Sequence, residues 1–248
     1  MLTEKRRKEM IKLVEKNKSV TLRELMERFQ TSESTIRRDI TILHSQGKLI
    51  KVFGGAVALE EQLKTADEAV ATRAGVNQRE KLMIARYAAS IVKQDDFVYL
   101  DAGTTTGCMI DYLKEKNATY VTNGISHARH LSERGFQVFI LGGELKSSTE
   151  AIVGSEALSC LEKYNFTLGF FGANGISTKA GFTTPDINEA LIKRKAMEKT
   201  KRRYLLSDSQ KFGIVSLVSF SPITNAVILT DYIPRESFKA CDNIITIQ

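Results

Sequence analysis

The chain has 248 residues, 42% of them hydrophobic and 26% charged, with three cysteines, three histidines and a net charge of +7. No run approaches the roughly 20 apolar residues that span a bilayer, and Met1–Lys8 lacks the apolar core of a secretory signal, so a cytoplasmic protein without a membrane segment is expected. The scattered Cys108, Cys160 and Cys241 fit no disulfide framework, and with His44, His127 and His130 they make no zinc spacing, so neither metal nor cofactor is expected.

Charge divides the chain. Residues 1–58 hold 13 Lys/Arg against 7 Asp/Glu, whereas residues 59–248 hold 23 against 22. Excess positive charge in the first quarter suits a phosphate backbone, where each neutralised phosphate releases a condensed counterion. The polar, acidic stretch from Leu59 follows a Gly-Gly pair and reads as a connector. The expected organisation is a domain over 1–58, a linker over 59–75 and a second domain over 76–248.

In the first domain the pattern is helical and short. A helix over Glu4–Lys16 buries Met10, Ile11 and Val14. Thr21-Leu-Arg-Glu24 is a capping box, opening a helix whose Leu22, Leu25, Met26 and Phe29 form one apolar stripe. After the turn Gln30-Thr31, Ser32 is a good N-cap for a third helix that buries Ile36, Ile40 and Leu43 and stops at Gly47. Lys48–Val57 reads as a hairpin. With the apolar residues inward, Ser34, Arg37, Arg38 and Thr41 share the opposite face. Two adjacent arginines near the start of such a helix can reach guanine edges or phosphates, one bidentate contact discriminating by about 1–3 kcal/mol.

In the second domain, apolar strands alternate with helices. Strands are expected at Phe97–Leu100, Tyr120–Thr122, Phe136–Leu141, Leu168–Phe171, Arg203–Leu206, Ala226–Thr230 and Ile244–Ile247. Helices are expected at Gln78–Val92, Thr105–Lys116, Ile125–Arg134, Glu156–Lys163 and Asn188–Lys199, with His127 and His130 on a solvated helix edge. Such alternation implies a mainly parallel sheet, whose ligands collect at the carboxyl ends of the strands. There Asp101 and Gly103 lead into Thr104, Thr105 and Thr106, a loop whose N–H and hydroxyl donors suit a small anion. It lacks the Gly-Lys-Ser/Thr of a nucleotide loop. Thr122 and Asn123, Gly142 and Gly143, Asn174, and Asp208 with Lys211 also follow strands, and they complete the expected pocket for a phosphorylated ligand.

Ser32-Glu-Ser-Thr-Ile-Arg-Arg-Asp-Ile40, followed by Gly47 and Val52-Phe-Gly-Gly-Ala56, resembles the winged helix-turn-helix of the DeoR family of bacterial regulators. Phe53 stands where that family usually has a histidine. The strand-end motifs resemble its effector domain from Glu68 onward, a domain related to ribose-5-phosphate isomerase. The resemblance implies an α/β protein: a winged helix-turn-helix followed by a mainly parallel domain. It also implies DNA contact through Thr21, Ser32, Ser34, Thr35, Arg37, Arg38 and the wing residues Lys51, Gly54 and Gly55. Acids of the isomerases are replaced at Phe171 and Asn174, and their glutamate base falls at Arg194, which implies binding without catalysis. The implied protein is a homo-oligomeric repressor, a dimer or tetramer, released from double-stranded operator DNA by a sugar phosphate. Met1–Arg6 and Ser32–Ile40 look most like repressors of fructose-uptake operons, which implies fructose 1-phosphate. Two other readings stay open: an isomerase-like enzyme with an appended DNA-binding segment, and a protein-interaction module at the front.

Overall fold

The computed structural model describes residues 2–58, 62–63 and 69–247; Glu68 and most of the expected connector, 59–61 and 64–68, lie outside them. The chain divides into two compact units, Met1–Glu61 with Pro234–Ala240, and Gln62–Ile233 with Cys241–Gln248.

The first unit runs α1 (Thr3–Asn17), β1 (Ser19–Thr21), α2 (Leu22–Phe29), α3 (Glu33–Ser45), β2 (Ile50–Val52) and β3 (Gly55–Val57). The capping box forms as the sequence dictates: the Thr21 hydroxyl accepts from the Glu24 N–H, and the Glu24 carboxylate accepts from the Thr21 N–H at 2.7 Å. Met10, Val14, Leu25, Phe29, Ile36, Ile40 and Leu43 share one core with Val20, Leu49 and Ala56. Gly47 leaves α3 at φ +64°, a conformation that favours glycine. The hairpin gains a third strand that periodicity could not reveal, because β1 is only three residues long. It pairs antiparallel with β3, giving the order β1-β3-β2.

One charged residue enters this core. Asp39 on α3 is buried, and its two carboxylate oxygens each take an arginine Nε of α1, Arg7 and Arg6, at 2.7 Å. The clamp fixes α1 across α3.

The second unit contains β4 (Gln62–Leu63), α4 (Val70–Ala74), α5 (Gln78–Ser90), β5 (Phe97–Leu100), α6 (Thr104–Ile110), β6 (Thr119–Thr122), α7 (Ile125–Glu133), β7 (Gln137–Ile140), β8 (Glu144–Lys146) and β9 (Ala151–Val153). It continues with α8 (Ser155–Glu162), β10 (Phe166–Phe171), β11 (Gly175–Ser177), β12 (Gly181–Thr184), α9 (Ile187–Glu198), β13 (Thr200–Leu206), β14 (Ile214–Val215), β15 (Val218–Ser221), β16 (Val227–Thr230) and β17 (Ile244–Thr246). Seven strands form one parallel sheet in the order β17-β16-β13-β10-β5-β6-β7. All seven expected strands are in it. Chain order runs outward in both directions from the β5–β10 pair, so that pair is the switch point, where crevices open at the carboxyl ends. Short antiparallel excursions, β8–β9 and β11-β12-β15, decorate the sheet.

Two local expectations change. The helix after β5 stops at Ile110 instead of reaching Lys116, with Arg134 donating to the carbonyls of Ile110 and Leu113. His127 is buried, not solvated, because α7 turns it toward Thr106, Gly107 and Gly124.

Removing one partner of a buried ion pair leaves an unmatched buried charge, a loss of about 3–5 kcal/mol. Asp39→Ala is therefore expected to destabilise the first unit on that scale. Hydrogen exchange on the full chain should show α1 and α3 amides losing protection while β5 and β10 keep theirs.

Candidate functional site

The sequence singles out two places, one in each unit. In the first unit, α3 turns Ser34, Arg37, Arg38 and Thr41 to solvent, opposite its buried Ile36, Ile40 and Leu43. Ser32 sits at the N-cap, but its hydroxyl makes no cap bond. It lies 3.0 Å from the hydroxyls of Ser34 and Thr35, so three hydroxyls cluster at the helix start. Arg37 Nε donates to Glu33 at 2.6 Å, a pair that orients the guanidinium and leaves donors over. Arg38 is exposed and has no side-chain partner among the described residues. Lys51 of β2 donates to the Thr41 hydroxyl at 3.0 Å, which itself donates to the Arg37 carbonyl at 2.8 Å, so wing and helix present one surface. Gly54 and Gly55 shape the wing turn, and the Thr21 hydroxyl is committed to the α2 cap. Arg6 and Arg7, basic by sequence, are drawn to Asp39. That clamp escaped the sequence reading because Asp39 looks like one more exposed helix carboxylate.

In the second unit a pocket opens at the switch point. Its wall includes Gly103, Thr104, Thr105, Thr106, Asn174, Asp208 and Lys211 of the expected set. Arg73, Lys81, Glu189 and Lys193 join them, so four cations face two carboxylates, Glu189 and Asp208, across the lining. Asp101 lies beneath, buried at the end of β5. It pairs with Lys193 of α9, and its Oδ2 also accepts the Gly172 N–H at the end of β10 at 2.9 Å. Among the described residues the other oxygen, Oδ1, has no hydrogen-bond partner; nor does the buried Nε of Arg73. Burial pushes the Asp101 carboxyl above its ordinary range, against the pull of Lys193 and the Gly172 N–H.

The remaining expected residues serve the frame and do not line this pocket. Asn123 accepts from Tyr99 Oη at 3.1 Å and from the Ala102 N–H at 2.8 Å, holding the loop that carries Gly103. Thr122 donates to the Leu100 carbonyl at 2.6 Å. Gly142 and Gly143 lead into β8, where a side chain on Gly143 would strike the Val153 carbonyl. Thr122 ends β6, and the other three follow β6 or β7, strands on the far side of β5 from β10. Arg194 also lies elsewhere: its guanidinium donates to the carbonyls of Ser219 and Phe220. One residue of helix turns the chain by about 100°, so Lys193 faces the pocket in its place.

The carboxylates here are already engaged. Burial raises Glu189, but Lys193, the Thr149 hydroxyl (2.6 Å) and Lys146 (3.1 Å) outweigh it and hold the group below the usual range. Asp208 accepts from Asn77 Nδ2 at 3.0 Å and from the Gln210 N–H at 3.1 Å. A general base at neutral pH needs a pKa near 7, and Glu189 is moved the other way. Among the described residues no cluster of three or more His, Cys, Asp or Glu could hold a metal ion, and no helix is long and apolar enough to cross a membrane.

Residues 6–62 match the family described as the DeoR-like helix-turn-helix domain, and residues 76–232 match the DeoR C terminal sensor domain. A Bacillus subtilis (strain 168) protein described as "Uncharacterized HTH-type transcriptional regulator FruR" is 42% identical over 93% of this chain and 91% of its own. The lactose phosphotransferase system repressor of Streptococcus mutans is 30% identical over 93% of each chain. Among solved structures, ribose 5-phosphate isomerase A from Methanocaldococcus jannaschii is 14% identical over 55% of each chain, with a TM-score of 0.40.

The buried His127 gives a pH test. Desolvation, only partly offset by the Gly103 carbonyl, lowers its pKa to about 4. An unfolded histidine titrates near 6.5. Between these values the unfolded state binds more protons, so acidification costs stability by up to about 1.4 kcal/mol per pH unit. Urea titrations of the wild type and His127→Asn at pH 4.5 and 7 should show the wild type losing about 2–3 kcal/mol more than the variant.

Proposed function

Since the chain belongs to the DeoR family of transcriptional regulators, we propose that its first unit reads operator DNA through α3 and its second unit senses a phosphorylated sugar at the switch-point pocket. The reading surface is the three hydroxyls Ser32, Ser34 and Thr35, with Arg37, Arg38 and Lys51. Hydroxyls and lysine suit phosphate oxygens, and the arginine fork suits the O6 and N7 of guanine. A helix-turn-helix reader working on two half-sites requires two copies, so the active form is a homo-oligomer. It acts in the cytoplasm, where operator and effector meet.

The observation that carries the effector assignment is the clustering of Arg73, Lys81, Lys193 and Lys211 around a loop with three threonine hydroxyls. A phosphate monoester matches the cations, and hydroxyls of a sugar match Asn174 and Thr104 in the pocket wall. Fructose 1-phosphate is the first candidate, in keeping with the likeness of Met1–Arg6 and Ser32–Ile40 to repressors of fructose-uptake operons. Because the carboxylates are tied to partners, the ligand leaves chemically unchanged. Release from DNA requires that the sugar bind the DNA-free arrangement more tightly than the DNA-bound one. A typical coupling of about 1–3 kcal/mol loosens the operator several-fold to a hundredfold.

The test is a mobility-shift titration on DNA from upstream of the protein's own gene, with and without a panel of sugar phosphates. One phosphorylated sugar should weaken binding, and its unphosphorylated parent should not. Lys211→Met, which removes a charged donor from the pocket wall, should raise the effector concentration needed by about 10- to 100-fold and leave effector-free DNA binding unchanged. Arg38→Ala should abolish the preference for that DNA without altering sugar binding by calorimetry. Response to the unphosphorylated sugar alone would sink the cation assignment.

A further inference from the structure

The wing carries a feature that the reading of α3 leaves unused. Phe53 at its tip is 108% exposed, with Val52 at 40% and Ile50 at 38% beside it. A large aromatic ring in water is unusual enough to need a reason, particularly on so basic a unit.

The ring is mounted rigidly. Gly54 at φ +81° closes a tight turn that β-carbons disfavour, placing Phe53 at the outer corner. Three ties hold the hairpin behind it. The Gly54 carbonyl accepts the Leu22 N–H, at the start of α2, at 2.8 Å. Gly55 packs so close to the Val20 carbonyl that no side chain fits there. Lys51 bonds Thr41 on α3. The backbone is fixed on three sides, and the side chain alone projects.

Its surroundings name the partner. Lys51, two residues before the ring on the same hairpin, bonds Thr41 of α3, the helix that exposes Arg37 and Arg38, and cations so placed favour a polyanion over an apolar protein face. With α3 in a major groove, a hairpin flanking that helix crosses the phosphate backbone toward the adjacent minor groove. Apolar wedges there part neighbouring base pairs and bend the duplex by roughly 20–90°. We infer that Phe53 inserts from the minor groove between two base pairs beside the α3 site, unstacking that step and bending the operator. Pyrimidine–purine steps unstack most readily, so Phe53 selects sequence at a position where it makes no hydrogen bond. This inference rests on the DNA-reading role proposed above.

The experiment uses the full chain and its upstream DNA. End-to-end energy transfer reports the bend, and 2-aminopurine placed at successive flanking TA and CA steps reports unstacking as a rise in fluorescence. The wild type should bend the fragment and raise fluorescence at one step in each half-site. Phe53→Ala should abolish both and weaken binding about tenfold, while Phe53→Leu, still an apolar wedge, should retain most of each. Position 53 is fully exposed, so circular dichroism should show all three proteins folded alike. Binding by the wild type without bend or fluorescence change overturns the wedge and leaves DNA reading intact. So does a Phe53→Ala protein that bends DNA as before, or one whose oligomeric mass falls in sedimentation, which would assign the ring to a contact between copies. A wild type that binds no upstream fragment overturns both proposals.

Discussion

The second unit is organised around one buried contact, the junction of Asp101, Lys193 and the Gly172 N–H. Asp101 follows β5, Gly172 follows β10, and Lys193 belongs to α9, so one carboxylate oxygen gathers two strand ends and a helix. A lone carboxylate there would be intolerably desolvated, and a lone ammonium equally so; each makes the other's burial possible. The position matters as much as the energy. In a sheet whose order reverses between β5 and β10, the loops on either side depart in opposite directions and leave a crevice. The ion pair sits at the floor of that crevice and holds Lys193 in its wall.

The first unit uses the same device for a different end. Asp39 draws Arg6 and Arg7 against α3, which braces α1 and takes two cations out of the exposed set. Net charge therefore overstates the charge available to a polyanion: what faces outward beside α3 is Arg37, Arg38 and Lys51. On the DNA-reading role proposed above, selectivity follows from that thinning. A surface studded with free arginines would hold any duplex, whereas a few cations, two of them oriented by Glu33 and Thr41, can be satisfied only in register.

Much of this was legible in the sequence. The capping box, the apolar faces of α2 and α3, the stop at Gly47 and the seven strands are local signals, set by periods of 3.6 and 2 and by glycine. The Gly103–Thr106 loop, Asn174, Asp208 and Lys211 were legible because residues at strand ends of a parallel sheet converge whatever the details. What stayed hidden depends on packing from both sides. α9 buries Ala190, Ile192, Ala196 and Met197 on more than one face, so no polar stripe marks the side turned to the pocket. The available signal was the pair Glu189 and Lys193, one turn apart on either side of the apolar Ala190-Leu-Ile192. Arg73 was hidden in a stretch whose composition reads as connector but which forms the short helix α4. His127 was misplaced because a buried neutral imidazole and a solvated one look alike in sequence, and only the space left by Gly107 and Gly124 separates them.

The pocket's carboxylates finally explain why such a fold can bind without reacting. Proton transfer between neighbouring carbons needs a base that is free to leave its resting partner and has a pKa near that of the medium. Glu189 is held by Thr149 and Lys146 and lowered by Lys193, and Asp208 is held by Asn77. Asp101 alone is pushed upward, but its Oδ2 is fixed by Lys193 and Gly172. Its other oxygen, Oδ1, is buried and outside the pocket wall, so it too is withdrawn from any bound molecule. The sensing role proposed above needs binding without reaction. On that role, occupancy must follow the concentration of the sugar, and a pocket that consumed its ligand would report its own turnover instead.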